Sequence, residues 1–209
     1  MQCLIGKKIG MTRVFDETGR SISVTVVQTG KNTVHQVKTE EKDGYRAIQL
    51  GFGEVSEKKL NKPELGHFKK LGTAPVSVIK EVRLEDGDDG YVSGQQIGVE
   101  VFEAVKFVDV TGTSKGRGHA GTIKRYNFQR GRETHGNTNV RERGSVGANS
   151  YPARVFPGLK MSGHYGNERV TVKRLEVVDV DKENDLIFLR GAVPGCNQGI
   201  LVLRKTNNG

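Results

Sequence analysis

Tryptophan is absent from these 209 residues, cysteine occurs only twice, and hydrophobic residues make up just 34%. Cys3 and Cys196 lie far apart with no CxxC pair and no regular spacing, which argues against a disulfide framework or a zinc module and points to a reducing compartment. No apolar run approaches the roughly 18 residues that a membrane span needs. The N-terminal Met1-Gln2-Cys3-Leu4-Ile5-Gly6-Lys7-Lys8 places its charge after a very short apolar piece, unlike a secretory leader. The expected compartment is therefore the cytoplasm, with no membrane association.

Catalytic signatures are missing as well. There is no nucleophile elbow, no HExxH, no Cys–His pair with an orienting group, and no phosphate loop ending in Gly-Lys-Ser/Thr; Thr113-Ser114-Lys115-Gly116 reverses that order. Carboxylates gather instead at Glu40–Asp43 and Glu85–Asp89, where solvated turn charge is the ordinary explanation. Neither an enzyme, a cofactor, a metal nor a small-molecule substrate is expected. An enzyme acting on an acidic substrate is the outside reading, and a saturable small-molecule site would be its mark.

What the chain does have is glycine, at 28 residues well above the roughly 7% average, and a net charge of +9 with a pI near 9.6. The charge is unevenly placed. Between Thr113 and Arg174, 13 Lys and Arg face only Glu133, Glu142 and Glu168, a net of +10, so the rest of the chain carries about −1. One interior stretch thus holds the excess charge and becomes the candidate contact surface for a polyanion.

Outside that stretch, short alternating apolar runs read as half-buried strands: Ile22–Val27, Thr33–Val37, Tyr45–Leu50, Val76–Arg83, Ile97–Phe102, Lys106–Val110, Val170–Val180, Leu186–Leu189 and Ile200–Leu203. Turn chemistry separates them at Asp16-Glu17-Thr18-Gly19, Lys42-Asp43-Gly44 and Glu85-Asp86-Gly87-Asp88-Asp89-Gly90. Only Pro63 to Leu71 looks helical, with Leu65, Phe68 and Leu71 on one face and Gly72 as a stop. The expected fold is mainly β, a small barrel or sandwich with minor helix. Its globular part spans 1–124 and 167–209 with a helical insert near 56–72, and 125–166 forms a long irregular extension. That extension is too poor in apolar residues to order itself in water and is expected to order against a polyanion.

Gly116-Arg117-Gly118-His119-Ala120-Gly121 matches GxGxxG after a strand, but a dinucleotide site also needs a long helix packed on the sheet, and Gly131 follows within about two turns. The same residues suit direct phosphate binding, with backbone N–H groups near the anion and Lys115, Arg117, Lys124 and Arg125 supplying charge; a plain flexible turn is the bland alternative. His119, His135 and His164 lack carboxylate or Cys partners at ligand spacing and fit phosphate or base contacts better than a metal. Tyr126, Phe128, Tyr151, Phe156 and Tyr165 alternate with cations, as a surface for irregular RNA would, although Phe128 and Phe156 read slightly better as anchors of the extension's base. A basic architectural DNA-binding protein is the alternative.

Several longer motifs carry a resemblance. Ile5-Gly6-Lys7-Lys8-Ile9-Gly10-Met11-Thr12-Arg13-Val14-Phe15, Asp109-Val110-Thr111-Gly112-Thr113-Ser114-Lys115-Gly116-Arg117-Gly118, His135-Gly136-Asn137, Gly144-Ser145-Val146-Gly147 and Lys160-Met161-Ser162-Gly163-His164-Tyr165-Gly166 together resemble the universal ribosomal protein L-three family, bacterial type. The resemblance spans nearly the whole chain in order. It implies a six-stranded barrel of the translation-protein kind, binding to 23S ribosomal RNA near its 3′ end, nucleation of large-subunit assembly, and an extension that threads toward the peptidyl-transferase centre. Residues Gly147, Ala148, Asn149, Ser150, Tyr151 and Pro152 would form its tip, and L-fourteen and L-nineteen would be protein neighbours. Charge and resemblance together nominate Lys7, Lys8, Arg13, Lys115, Arg117, His119, Lys124, Arg125, Arg130, Arg132, His135, Arg141, Arg143, Arg154, Lys160, His164 and Arg169 as RNA contacts. Three departures are visible: Val140-Arg141-Glu142-Arg143 replaces a His-Arg pair common in relatives, Pro157-Gly158-Leu159-Lys160 holds fewer lysines than is usual, and Ser150 stands where some relatives carry a methylated Gln.

Overall fold

A computed structural model describes residues 2–84 and 90–206; the turn read at Glu85–Gly90 lies, apart from Gly90, outside the described residues. In chain order the elements are β1 (Cys3–Phe15), β2 (Ser21–Gln28), β3 (Asn32–Lys38), α1 (Glu40–Asp43), β4 (Ala47–Glu54), α2 (Lys62–Leu71), β5 (Val76–Arg83), β6 (Gln96–Ile97), β7 (Phe107–Thr113), β8 (His119–Ala120), α3 (Thr122–Tyr126), β9 (Gly163–His164), β10 (Arg169–Asp181), β11 (Leu186–Arg190) and β12 (Ile200–Lys205). Two compact units result, one made of Met1–Thr113 with Arg169–Gly209 and the other of Ser114–Glu168.

The first unit contains a closed antiparallel barrel in the order β1-β12-β7-β10-β11-β2. Closure removes free sheet edges, and alternation turns Leu4, Val27, Val108, Val110, Ile187, Leu189, Leu201 and Leu203 into its interior. The mainly-β, six-stranded expectation is met. β1 was not among the expected strands, and its burial explains why. Leu4 points into the barrel while Cys3 and Ile5 point out into a second apolar cluster with Val34, Ile48, Leu50 and Val82. With both faces covered, the strand starts as an unbroken apolar run instead of an alternating one.

That second cluster belongs to a four-stranded sheet, β5-β4-β3-β6, so the strands expected at Thr33–Val37, Tyr45–Leu50 and Val76–Arg83 form a sheet of their own and not part of the barrel. Asn32 ties β1 to the start of this sheet. Its buried side chain accepts the Ile5 N–H at 2.9 Å and donates to the Ile5 carbonyl at 3.0 Å and the Thr29 carbonyl at 3.1 Å, satisfying backbone groups that would otherwise be buried unpaired. Helix α2 begins with a capping box in which the Glu64 carboxylate accepts the Asn61 N–H at 2.9 Å, and ends at left-handed Gly72. Its one buried residue, Phe68, meets the ring of His35 edge-on at 5.5 Å. His35 is itself buried against Thr73, 2.6 Å from its hydroxyl, and burial pushes its pKa below the ordinary range.

Three local readings change. The alternating run Ile97–Phe102 is not a strand beyond Ile97; residues Val99–Phe102 form a 3-10 turn that buries Val99 and Phe102, a spacing of three that places both on one side. Glu40–Asp43 is a short helix closed by left-handed Gly44, not merely a turn. The Asp16 turn does form, its carboxylate accepting the Thr18 hydroxyl and the Thr18 and Arg20 N–H groups, which lowers its pKa.

Gly51 supplies a test of the second sheet. A Cβ there would overlap the His35 ring and come within 2.8 Å of Val76. Both neighbours are buried, so Gly51→Ala should destabilise the protein by about 2–3 kcal/mol, read as a lower urea midpoint at unchanged slope.

Candidate nucleic-acid interface

The second unit carries most of the excess charge, with ten Lys and Arg against three carboxylates in Ser114–Glu168. Its base is a pair of antiparallel segments. The Ser114 N–H donates to the Glu168 carbonyl, the Arg117 N–H to that of Tyr165 and the Tyr165 N–H to that of Gly118, each at 2.9 Å, and His119 lies opposite His164 in the β8–β9 ladder. The glycines of the GxGxxG stretch do lead into a helix, α3, but it lasts only five residues before Asn127 caps it in the left-handed conformation. This is far too short to pack along a sheet as a dinucleotide-binding helix would.

Beyond α3 the chain runs to β9 without a regular element, yet it is braced from within. Arg125 donates to the Met161 carbonyl at 2.9 Å, and Arg143 donates to the carbonyls of Lys160 at 2.6 Å and Ser145 at 3.2 Å. Arg130 pairs with Glu133, and the Asn137 amide donates to the Arg132 carbonyl at 2.6 Å. Cations also lie over rings: Arg117 over Tyr165 at 5.5 Å, Arg125 and Lys160 over Tyr126 at 5.0 and 5.7 Å, and Arg154 over Phe156 at 5.2 Å. A guanidinium over a ring can still use its in-plane donors, as Arg125 does on the Met161 carbonyl.

The candidate residues separate by environment. Lys115, Arg117, His119, Lys124, Arg130, Arg132, His135, Arg141, Arg154, Lys160, His164 and Arg169 are exposed, while Arg125 and Arg143 are half-buried in their backbone contacts. On β1, Lys7 is half-buried and Arg13 exposed. Lys8 is different. It is buried, and its ammonium donates to the carbonyls of Val193 at 3.1 Å and Gly195 at 3.3 Å, so it serves the barrel and is out of reach of phosphate. Phe156 is not an anchor, being 53% exposed, whereas Phe128 packs on Tyr126 with ring centres 6.3 Å apart. At the expected tip, Tyr151 is 90% exposed. The bracing roles of Arg125 and Arg143 were not legible, because a sequence shows a cation but not the carbonyl it meets. Among the described residues, no three His, Cys, Asp or Glu side chains gather into a possible metal site.

Burial sets the limit on what this unit can do alone. Among its described residues Ala120 is the only buried hydrophobic one, so the unit relies on polar bracing and not on an apolar core. The class that the fold defines is a closed six-stranded antiparallel β-barrel with a basic, core-poor arm inserted between two of its strands. The model of the family described as Ribosomal protein L3 matches residues 83–185. The large ribosomal subunit protein uL3 of Picosynechococcus sp. is 51% identical over 205 residues, covering 98% of this chain and 96% of its own length. Those of Heliobacterium modesticaldum and Thermotoga maritima are each 52% identical, over 203 residues (97% of this chain, 96% of the relative) and 204 residues (98% and 97%). The chain belongs to the uL3 family of large-subunit ribosomal proteins, which are structural components and not enzymes.

Gly166 tests the base of the arm. It sits at φ +72°, and a Cβ there would overlap the Lys115 carbonyl oxygen. Gly166→Ala should accelerate amide exchange at Arg117 and Tyr165 by about tenfold or more while barrel amides keep their protection; unchanged exchange at the base would refute the close approach.

Proposed function

We propose that this chain is a structural constituent of the large ribosomal subunit that binds 23S ribosomal RNA near its 3′ end and helps to nucleate subunit assembly. In this reading 1–124 and 167–209 act as the globular anchor. Segment 125–166 penetrates the RNA, with residues Gly147 to Pro152 nearest the peptidyl-transferase centre. L-fourteen and L-nineteen are the protein neighbours, and the site of action is the ribosome in the cytoplasm. The observation that carries the reading is the unit Ser114–Glu168 that contains this segment: ten cations, three carboxylates and one buried apolar residue leave a stabilisation that phosphates can supply. Its irregular backbone suits folded RNA, whose accessible features are splayed bases and crowded phosphates, better than a regular duplex.

Each phosphate neutralised releases condensed counterion. With about six or more contacts, affinity for 23S ribosomal RNA should fall roughly a thousandfold or more between 50 and 200 mM salt, and a slope near zero would sink the proposal. Duplex DNA competing equally at fixed salt would favour an architectural DNA-binding role instead. Deleting 130–157 should leave the barrel folded, with a melting transition close to that of the full chain, and should impair subunit assembly or peptide transfer. Loss of the barrel transition would show that the arm is part of the globular core.

A further inference from the structure

The outer wall of the barrel holds a cationic feature separate from every residue nominated so far. In the β7–β10 ladder Val172 faces Val110 and Leu175 faces Val108, so both Lys173 and Arg174 stand against the single residue Asp109. This is a β-bulge. In a regular strand two adjacent side chains point to opposite faces, and one of these cations would be aimed at the apolar barrel interior. With the extra residue, both are exposed and Leu175 resumes the inward-facing pattern.

The bulge is held at a cost. Arg174 has φ +57°, a left-handed conformation unfavourable for a residue with a Cβ. Asp109 holds it there: one carboxylate oxygen accepts the Arg174 N–H at 2.8 Å and the Thr206 hydroxyl at 2.7 Å. The Arg174 guanidinium lies 5.1 Å from the centre of the Phe107 ring, and the Lys106 ammonium lies 5.6 Å from the same centre. Glu176, opposite Phe107 in the same ladder, pairs with Arg190 at 2.9 Å. Among the described residues none of Lys106, Lys173 and Arg174 forms an ion pair. Further along the same ladder lie the exposed Thr111–Thr171 hydroxyl pair, 2.8 Å apart, and Arg169. Donors thus recur every two residues, roughly 7 Å, a spacing comparable with that of successive phosphates on an RNA strand.

We propose that Lys106, Lys173 and Arg174 form a phosphate-binding site on the barrel wall that grips an RNA backbone independently of the arm, the bulge existing to present both strand cations on one side. The inference rests on the RNA-binding reading above and adds a second, separable contact to it. RNA fits better than an acidic protein surface because the half-buried Phe107 ring between two cations offers a stacking face beside the phosphate donors.

The test uses the full chain, a 23S ribosomal RNA transcript and binding measured from 50 to 200 mM salt. The double variant Lys173→Gln with Arg174→Asn removes both charges while Asn still tolerates the left-handed backbone. Its log–log salt slope should fall by nearly 2, with affinity at 150 mM reduced about tenfold or more, and Lys106→Gln should lower the slope by nearly 1. If the double variant does not fold, Lys106→Gln, which lies outside the bulge, decides alone. A steep wild-type slope that neither variant changes overturns this site and leaves the arm's role standing; a flat wild-type slope overturns the RNA reading itself. Unchanged RNA affinity combined with lost incorporation into reconstituted subunits would assign the face to a protein neighbour and also overturn the proposal.

Discussion

The β7–β10 ladder is the constraint on which the rest of the molecule depends. It is one wall of the barrel, and its last pair, Thr113 opposite Arg169, fixes where the chain departs and where it returns. Bringing the ends of such a long excursion together carries a chain-entropy cost that grows only slowly with length, and here the barrel's hydrogen bonds and buried Val108, Val110 and Leu203 meet it. The excursion therefore needs no core of its own. Its composition is free to follow charge and backbone fit, which is why one buried alanine suffices where an independent domain would need a dozen large side chains.

Cations in this chain do three different things, and burial decides which. Lys8 is internal and caps carbonyls that the barrel would otherwise leave unpaired. Arg125 and Arg143 are intermediate, holding backbone carbonyls across the arm with donors that a neutral side chain could not arrange so widely. The exposed set, from Lys115 to Lys160, meets little of the chain beyond a few rings and the Arg130–Glu133 pair. Bracing cations and solvent-facing ones are thus residues of the same type, and a simple census of positive charge overstates the number that face solvent.

Much of the barrel was legible because burial follows the rule of two in β7, β11 and β12, where fully buried residues alternate with less buried ones. Legibility failed where a second constraint overrode that rule. β1 is covered on both sides, so its apolar residues do not alternate. The stretch 97–102 alternates by coincidence, and the spacing that matters is the three-residue step from Val99 to Phe102. The excess charge of the arm could be seen at once, whereas the burial of Lys8 and the exposure of Phe156 depend on neighbours distant in sequence. Lys173 and Arg174 escaped notice as a pair because an alternating pattern assigns them to opposite faces, and only the bulge brings them together.

The position of β12 has a consequence for how the molecule is made. This strand lies between β1 and β7, so two sheet edges stay open until a segment that follows the arm in sequence has been made. Until Ile200–Lys205 emerges, Leu4 and Val110 lack the apolar neighbours that β12 brings, and the basic arm has already left the exit tunnel. The basic arm is thus complete in the growing chain while the barrel that carries it is still unsealed. The order in which the strands are made, and not only the energetics of the finished fold, then governs when the exposed β edges cease to be an aggregation hazard.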